Sequence, residues 1–169
     1  GFAELTSSPT TRQLFIRSLV QYCRQSGFHG IDYDWEHPKT KLELANYVKL
    51  ITETSNACHP HSMIVTVAQA AWQNIGKDAY QAVDRLHLMT YDHDFPHATY
   101  DKSTKDIERV IGWGCAPEKL ALGIPFYGRN KERKARTYAE ITANQPVDST
   151  KDLIAGFAFN GQATVAKKV

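Results

Sequence analysis

The residues with the clearest chemical potential lie in the segment Gly30–Glu36, where acids occupy alternate positions. The acids are Asp32, Asp34 and Glu36, and the residues between them are apolar or aromatic: Ile31, Tyr33 and Trp35. Because side chains alternate between the two faces of a β-strand, a strand here would project all three carboxyl groups from one face. Carboxyl groups crowded on a partly buried face cannot all ionise cheaply, so we expect at least one raised pKa and a group that acts as a general acid.

The same polar residues also fit a metal site or a solvated strand. A cluster of carboxylates can hold a hard cation, and a solvated edge strand tolerates acids without any function. His93 and His97 lie close to Asp94 and could be metal ligands, although a polar loop over a cleft accounts for them as well. We favour acid–base chemistry and predict neither a metal nor a cofactor.

The composition is that of an ordinary globular protein, with 42% hydrophobic residues, 22% charged residues and a net charge of +2, and it favours no class of partner. The basic run Arg129–Arg136 is interrupted by Glu132 and lacks aromatic residues, so we interpret it as a solvated loop rather than a nucleic-acid or membrane surface. No stretch is long and apolar enough to span a membrane. Cys23, Cys58 and Cys115 lack metal-type spacing, and Cys23 lies on a helix's apolar face, where we expect a buried thiol.

Apolar residues recur along the chain at two different periods. Helical spacing predicts helices from Ser8-Pro9 to Gly27, over 44–51, over 78–83 and from Ser103, where Ser103–Asp106 resembles a capping box. Runs of apolar and β-branched residues predict strands at 30–36, 63–68, 86–91 and 120–124. Strands and helices that alternate in this way indicate βαβ units and a parallel sheet.

Polar residues cluster where each predicted strand ends: Asp34 and Glu36, then Gln69, then Tyr91 and Asp92, then Tyr127 and Arg129. Four strand ends that converge on one mouth are typical of a TIM barrel, an α/β fold whose active site lies at the C-terminal face of its strands. An open doubly wound sheet is disfavoured because no Gly-rich phosphate loop follows any strand. A complete barrel has eight strands and about 250 residues, so we predict that residues 1–169 form a partial barrel. Beyond Arg129 we expect a short helix over 138–144 and an unfinished element over 156–169.

Three segments resemble motifs of glycoside hydrolase family 18, the chitinases. Gly30–Glu36 resembles the signature D-x-x-D-x-D-x-E, Met89–Asp92 resembles M-x-Y-D, and Leu122–Arg129 resembles L-G-x-P-x-Y-G-R, in the family's order. The resemblance covers nearly the whole chain and implies that it contains the four central βα units of the barrel, with strands 4 to 7. His29 stands where the family has the first Asp of its signature, and we expect this departure to alter the pH dependence.

The resemblance also implies catalytic roles. Glu36 would protonate the glycosidic oxygen, and the substrate's own N-acetyl oxygen, rather than a second carboxylate, would attack the sugar. Asp34 would orient the acetamide and stabilise the oxazolinium intermediate, while Asp32 would share a proton with Asp34. Tyr91 would hold the acetamide oxygen. Substrate binding would involve Asp92, Met89, Tyr127, Arg129 and Trp72. For Trp72, packing and sugar stacking are evenly balanced, whereas Trp35 is expected to pack.

The function implied is endo-acting, retaining hydrolysis of β-1,4-linked N-acetylglucosamine polymers, with chitin favoured, by a secreted protein without a cofactor. The expected partner is chitin or an N-acetylglucosamine oligosaccharide, with no nucleic acid and no membrane. The barrel would be completed by missing segments or by a dimer, and the chain by itself need not be active. A hydrolase of peptidoglycan or N-glycan cores, a non-catalytic chitin-binding lectin and a carboxylate metal site remain as alternatives.

Overall fold

A computed structural model describes residues 1–143 and 148–169. In these residues the helices are α1 (Phe2–Ser7), α2 (Pro9–Ser26), α3 (Lys41–Cys58), α4 (Lys77–Ala82), α5 (Tyr100–Gly112), α6 (Tyr138–Thr142) and α7 (Gln162–Lys168). The strands are β1 (Gly30–Tyr33), β2 (Ile64–Ala70), β3 (Arg85–Met89), β4 (Leu120–Leu122), β5 (Tyr127–Arg129), β6 (Ala135–Thr137), β7 (Leu153–Ile154) and β8 (Phe157–Ala158). None of these helices is long and apolar enough to cross a membrane.

The chain divides into two compact units. The first unit comprises Gly1–Leu88 and Val110–Ala121, and the second comprises Met89–Arg109 and Leu122–Val169. Each unit is built around a sheet of its own.

The sheet of the first unit has the strand order β1-β2-β3-β4. β1 and β2 run parallel, with Asp32 opposite Thr66. Val65 and Val67 of β2 are fully buried, as are Leu50 and Ile51 of α3. The prediction of a covered strand at β2 is therefore confirmed. A strand that is covered on both faces can be apolar throughout, without alternating polar residues.

Both ends of α2 follow from local chemistry. The Ser8 hydroxyl accepts a hydrogen bond from the Thr11 N–H, Pro9 begins the helix, and Gly27 ends it with φ of 71°. Helices often begin with a side-chain cap and a proline in the first turn, and they often end at a glycine with left-handed backbone. The prediction for this helix is confirmed.

The predicted start of α5 was wrong. The helix begins at Tyr100, and Ser103 lies one turn inside it. The Ser103 hydroxyl donates to the Thr99 carbonyl at 3.1 Å and does not cap a helix end. Asp106 is 2% exposed and binds His93 Nε2 at 2.8 Å and Arg109 Nη1 at 2.9 Å. The sequence thus contains a capping-box pattern, but the Ser103 and Asp106 side chains form other hydrogen bonds instead of capping the helix.

The second unit contains an antiparallel sheet in the order β6-β5-β8-β7, which we did not predict. Residues 131–136 of the basic run are exposed as expected, whereas Arg129 is partly buried. The run is not a simple loop, because Arg129 and Ala135 pair across a hairpin. Strands of only two or three residues are too short to show a period in the sequence. The predicted helix over 138–144 is present as α6, and Asn144 lies outside the described residues.

Candidate active site

The acidic segment is shorter as a strand than predicted. β1 ends at Tyr33, so Asp34 and Glu36 lie beyond the ladder, and only Asp32 projects from the strand. The alternation itself is present, since Ile31 and Tyr33 are 8% and 3% exposed while Asp32 is exposed. The chain leaves the ladder where the Trp35 ring stacks on Phe2, with centroids 5.3 Å apart.

The buried face of β1 is anchored to α3. The Tyr33 hydroxyl pairs with Thr54 Oγ1 at 2.8 Å, and the Tyr47 hydroxyl donates to the Tyr33 carbonyl at 3.3 Å. Burial raises the pKa of Tyr47, and the charges of Asp32 and Asp34 raise it further, so this hydroxyl keeps its proton. With its back face held in this way, β1 presents Asp32 on the opposite face.

Asp32 has two partners on the neighbouring strands. Thr66 Oγ1 of β2 donates to Asp32 Oδ1. His87 Nδ1 of β3 lies 3.5 Å from the same oxygen. Neither residue was predicted as a partner of Asp32, because the register of parallel strands is not visible in their separate sequences.

Glu36 is open to solvent. Its side chain is 55% exposed, and His37 Nε2 lies 3.9 Å from Glu36 Oε2. Asp34 is also exposed, and Asp32 is 44% exposed. The expectation that these carboxyl groups share a partly buried face is therefore wrong for the described residues.

The two tryptophans near the acids differ in environment. Trp35 packs between Phe2 and the edge of Tyr47, as predicted. Trp72 follows β2, is 64% exposed, and meets the His37 ring edge-on at 4.9 Å. An exposed indole beside a polar loop is free to stack on a planar or pyranose ring.

In the second unit, Asp92 is the centre of a cluster of hydrogen bonds. Asp92 Oδ1 accepts from the Tyr127 hydroxyl at 2.7 Å and from Arg129 Nε at 2.6 Å, and Asp92 Oδ2 accepts from Arg129 Nη2 at 2.7 Å. The Arg129 hydrogen bonds, followed by the one from Tyr127, hold the pKa of Asp92 below its usual value. Asp92 is therefore a carboxylate fixed by a bidentate guanidinium.

Tyr127 and Tyr91 complete this cluster. Burial, and then donation to Asp92, raises the pKa of Tyr127, so its hydroxyl remains a donor. The rings of Tyr91 and Tyr127 meet edge-on at 6.2 Å. Met89 is the last residue of β3, two positions before Tyr91, and is partly buried.

His93 and His97 contact different residues, whereas a shared metal site would bring the two histidines together. His93 binds Asp106, whereas the His97 ring stacks on Tyr127 at 5.3 Å and 24°. The Asp94 carboxylate points to solvent, 3.6 Å from Arg133. In the part of the chain that the structure describes, no three metal-ligating side chains come together.

Comparison with known proteins agrees with this arrangement of motifs. The family model "Glycosyl hydrolases family 18" matches residues 1–167. The probable chitinase 2 of Drosophila melanogaster is 28% identical over 156 residues, which cover 76% of this chain and 32% of that protein. The chain thus spans about a third of the length of that curated relative.

Solved structures match almost the whole chain. A GH18 chitinase from Cycas revoluta, in complex with (GlcNAc)3, is 26% identical with a TM-score of 0.81 over 99% of this chain and 66% of that one. The chitinase-like agglutinin RobpsCRA from Robinia pseudoacacia is also 26% identical, with a TM-score of 0.83 and the same coverage. The predicted partial TIM barrel is confirmed, and β1 to β4 are four strands of that barrel. On the evidence of its motifs, its fold and a family match over nearly its entire length, this chain belongs to glycosyl hydrolase family 18.

Proposed function

We propose that the protein containing this chain hydrolyses β-1,4 linkages between N-acetylglucosamine units, with chitin as the favoured polymer. The observation that carries the proposal is Glu36, a solvent-accessible acid in the family's signature position directly beyond β1. Because chitin is an extracellular polymer, we also propose that the protein is secreted.

The proposed first step breaks the bond between the anomeric carbon and the glycosidic oxygen. The bonding electrons go to that oxygen, which takes the Glu36 proton, while the substrate's acetamide oxygen bonds to the anomeric carbon from the opposite face. Asp34 would accept a hydrogen bond from the acetamide N–H and stabilise the positive charge of the oxazolinium. Water then attacks the anomeric carbon and gives a proton to Glu36, while the bond from that carbon to the acetamide oxygen breaks and its electrons return to the acetamide, so the configuration is retained.

Asp32 would tune Asp34 in this scheme. The described contacts of Asp32, from Thr66 and His87, both go to Oδ1. By family role, Asp32 would share a proton with Asp34 through its other oxygen, Oδ2.

Asp92 would bind a sugar hydroxyl. A carboxylate has about four lone-pair sites, and Tyr127 and Arg129 fill three of those on Asp92. Among the described contacts, one acceptor site on Oδ2 remains for a hydroxyl donor. By family role, Tyr91 would hold the acetamide oxygen, Met89, Tyr127 and Arg129 would contact neighbouring sugars, and Trp72 would stack on a ring.

The likeness to the agglutinin supports a second candidate, a chitin-binding lectin without activity. Glu36 and Asp34 distinguish the two, because a binding protein has no need of an acid in that position. Hydrolases of peptidoglycan or N-glycan cores remain alternatives within the enzyme class, since the motifs address only the N-acetylglucosamine unit that these substrates share.

The test is turnover of a fluorogenic N-acetylglucosamine oligomer by the complete natural chain. Glu36→Gln should abolish turnover while calorimetry still detects oligomer binding, because the amide keeps the shape and loses the proton. Glu118→Gln, an exposed acid far along the sequence, is the matched control and should leave the rate unchanged. Chelator should have no effect.

Three outcomes would count against the proposal. Full turnover by Glu36→Gln would remove the acid role, and turnover that is lost with chelator would favour the metal site. Binding without turnover by the wild-type protein would favour the lectin.

A further inference from the structure

His97 closes the loop that carries Asp92. The Asp92 N–H donates to His97 Nδ1 at 3.3 Å, and the His93 N–H donates to the His97 carbonyl at 3.1 Å. Asp92 has a φ of 62°, in the left-handed region that costs most residues energy and that Asp tolerates better than most. The His97 side chain and backbone therefore define the conformation from which the Asp92 carboxylate projects.

The same imidazole supports the second member of the cluster. His97 is 1% exposed, and its ring stacks on Tyr127 with centroids 5.3 Å apart and planes at 24°. Tyr127 in turn donates to Asp92 Oδ1 at 2.7 Å. One buried side chain thus contacts both the Asp92 backbone and the ring whose hydroxyl binds the Asp92 carboxylate.

We propose that His97 is a positioning residue that, as a neutral imidazole, holds Asp92 and Tyr127 in the geometry required to bind a sugar hydroxyl. The inference deepens the proposed function and rests on it, since it takes Asp92 as a sugar ligand. His97 itself would touch no substrate.

The hydrogen bonds specify the protonation state. Nδ1 can accept the Asp92 N–H only when it carries no proton, so the neutral ring has its proton on Nε2. Among the described residues, the ionisable groups that act on the ring are Asp92 and His93 from its own loop, and Arg129 and Tyr127 from β5. Burial lowers the pKa of His97, and Arg129 and His93 act in the same direction. The charge of Asp92 and the backbone of Tyr127 raise the pKa of His97 and offset part of this lowering. Nε2 itself forms no well-aligned hydrogen bond with any described residue.

Protonation would reverse the role of Nδ1. The protonated nitrogen cannot accept the Asp92 N–H, and it lies 3.6 Å from Asp92 Oδ1, which already accepts from Tyr127 and Arg129. An acid-induced proton on His97 should therefore disturb the cluster, and substrate affinity should fall at low pH.

The experiment compares two variants of the complete natural chain. His97→Asn supplies an amide oxygen near the position of Nδ1 and does not titrate, whereas His97→Phe keeps the ring stack but provides no acceptor. We expect His97→Phe to raise KM for a chitooligosaccharide about tenfold, the range expected when a partly buried donor loses its partner, with kcat within about twofold. His97→Asn should restore most of the affinity and remove the loss of affinity at low pH. An unchanged KM in His97→Phe, or equal damage in His97→Asn, would overturn the proposal.

A second measurement does not depend on activity or on the variants. Nitrogen chemical shifts of the histidines in the wild-type protein should show His97 neutral at pH 7 with its proton on Nε2. A charged ring, or a proton on Nδ1, would overturn the positioning role even in an active enzyme. If the wild-type protein neither binds nor cleaves chitooligosaccharides, the proposed function fails, and the same spectrum still decides the state of His97.

Discussion

The pairing of Arg129 with Asp92 leads to a quantitative prediction for a double-mutant cycle. Arg129→Met removes two hydrogen bonds, of 2.6 and 2.7 Å, to the Asp92 carboxylate. Hydrogen bonds to charged groups contribute about 1.5–3 kcal/mol each when well shielded. Here the side chains are 25% and 40% exposed, so solvent screening reduces the sum. We expect a coupling free energy of about 1–2 kcal/mol between Arg129→Met and Asp92→Asn.

The assay is the free energy of unfolding in denaturant for the wild-type protein, both single variants and the double variant of the complete chain. The pH dependence follows from the lowered pKa of Asp92. Stability from such a group is present above the unfolded-state value of about 3.9 and is lost as the pH falls through the folded-state value. The coupling should therefore be undiminished at pH 7 and should decline only in strong acid.

Arg133 provides the matched control. Its guanidinium lies 3.4 Å from the Asp92 backbone carbonyl and makes no described contact with that carboxylate, so Arg133→Met should show almost no coupling to Asp92→Asn. A coupling below about 0.3 kcal/mol for Arg129, or one that stays constant into strong acid, would refute the assignment of the cluster as a charge-assisted pair.

Two further predictions concern the first unit. Asp34→Asn should lower kcat much more than it raises KM, because the charge stabilises an intermediate rather than the bound sugar; a change confined to KM in steady-state kinetics would contradict that role. Trp72→Ala should weaken chitooligosaccharide binding about threefold to tenfold by calorimetry, in line with the loss of one aromatic contact. Tyr22→Ala removes a comparably exposed ring, 59% against 64%, and should leave affinity unchanged; equal effects of the two would assign Trp72 no sugar contact.

Features that depend on near neighbours in the chain were predictable. The limits of α2 follow from Ser8, Pro9 and Gly27, which act within one turn of the helix. The alternation of Ile31, Asp32 and Tyr33 follows from strand geometry alone. The motif residues were found because their types and spacing repeat a known pattern.

The end of β1 and the environment of its acids were not predictable in this way. Alternation would place Glu36 on the strand, but the ladder stops at Tyr33. The stack of Trp35 on Phe2 lies where the chain departs, and the two are 33 positions apart by sequence number. The small antiparallel sheet was missed for a related reason, because its strands pair through backbone groups that carry no sequence signature.

The sequence by itself thus predicted which residues would carry the chemistry, and it determined the family of the chain and the alternation of strands and helices that places those residues at strand ends. Only the tertiary structure decided their partners. Thr66, which donates to Asp32, lies 34 positions from it in the sequence, and Tyr127, which donates to Asp92, lies 35 positions from it. Such partners depend on the register between strands and on the conformation of the Asp92 loop, both of which are set by packing. His97, which the sequence suggested as a polar-loop residue or a metal ligand, is instead buried and contacts the Asp92 N–H and the Tyr127 ring.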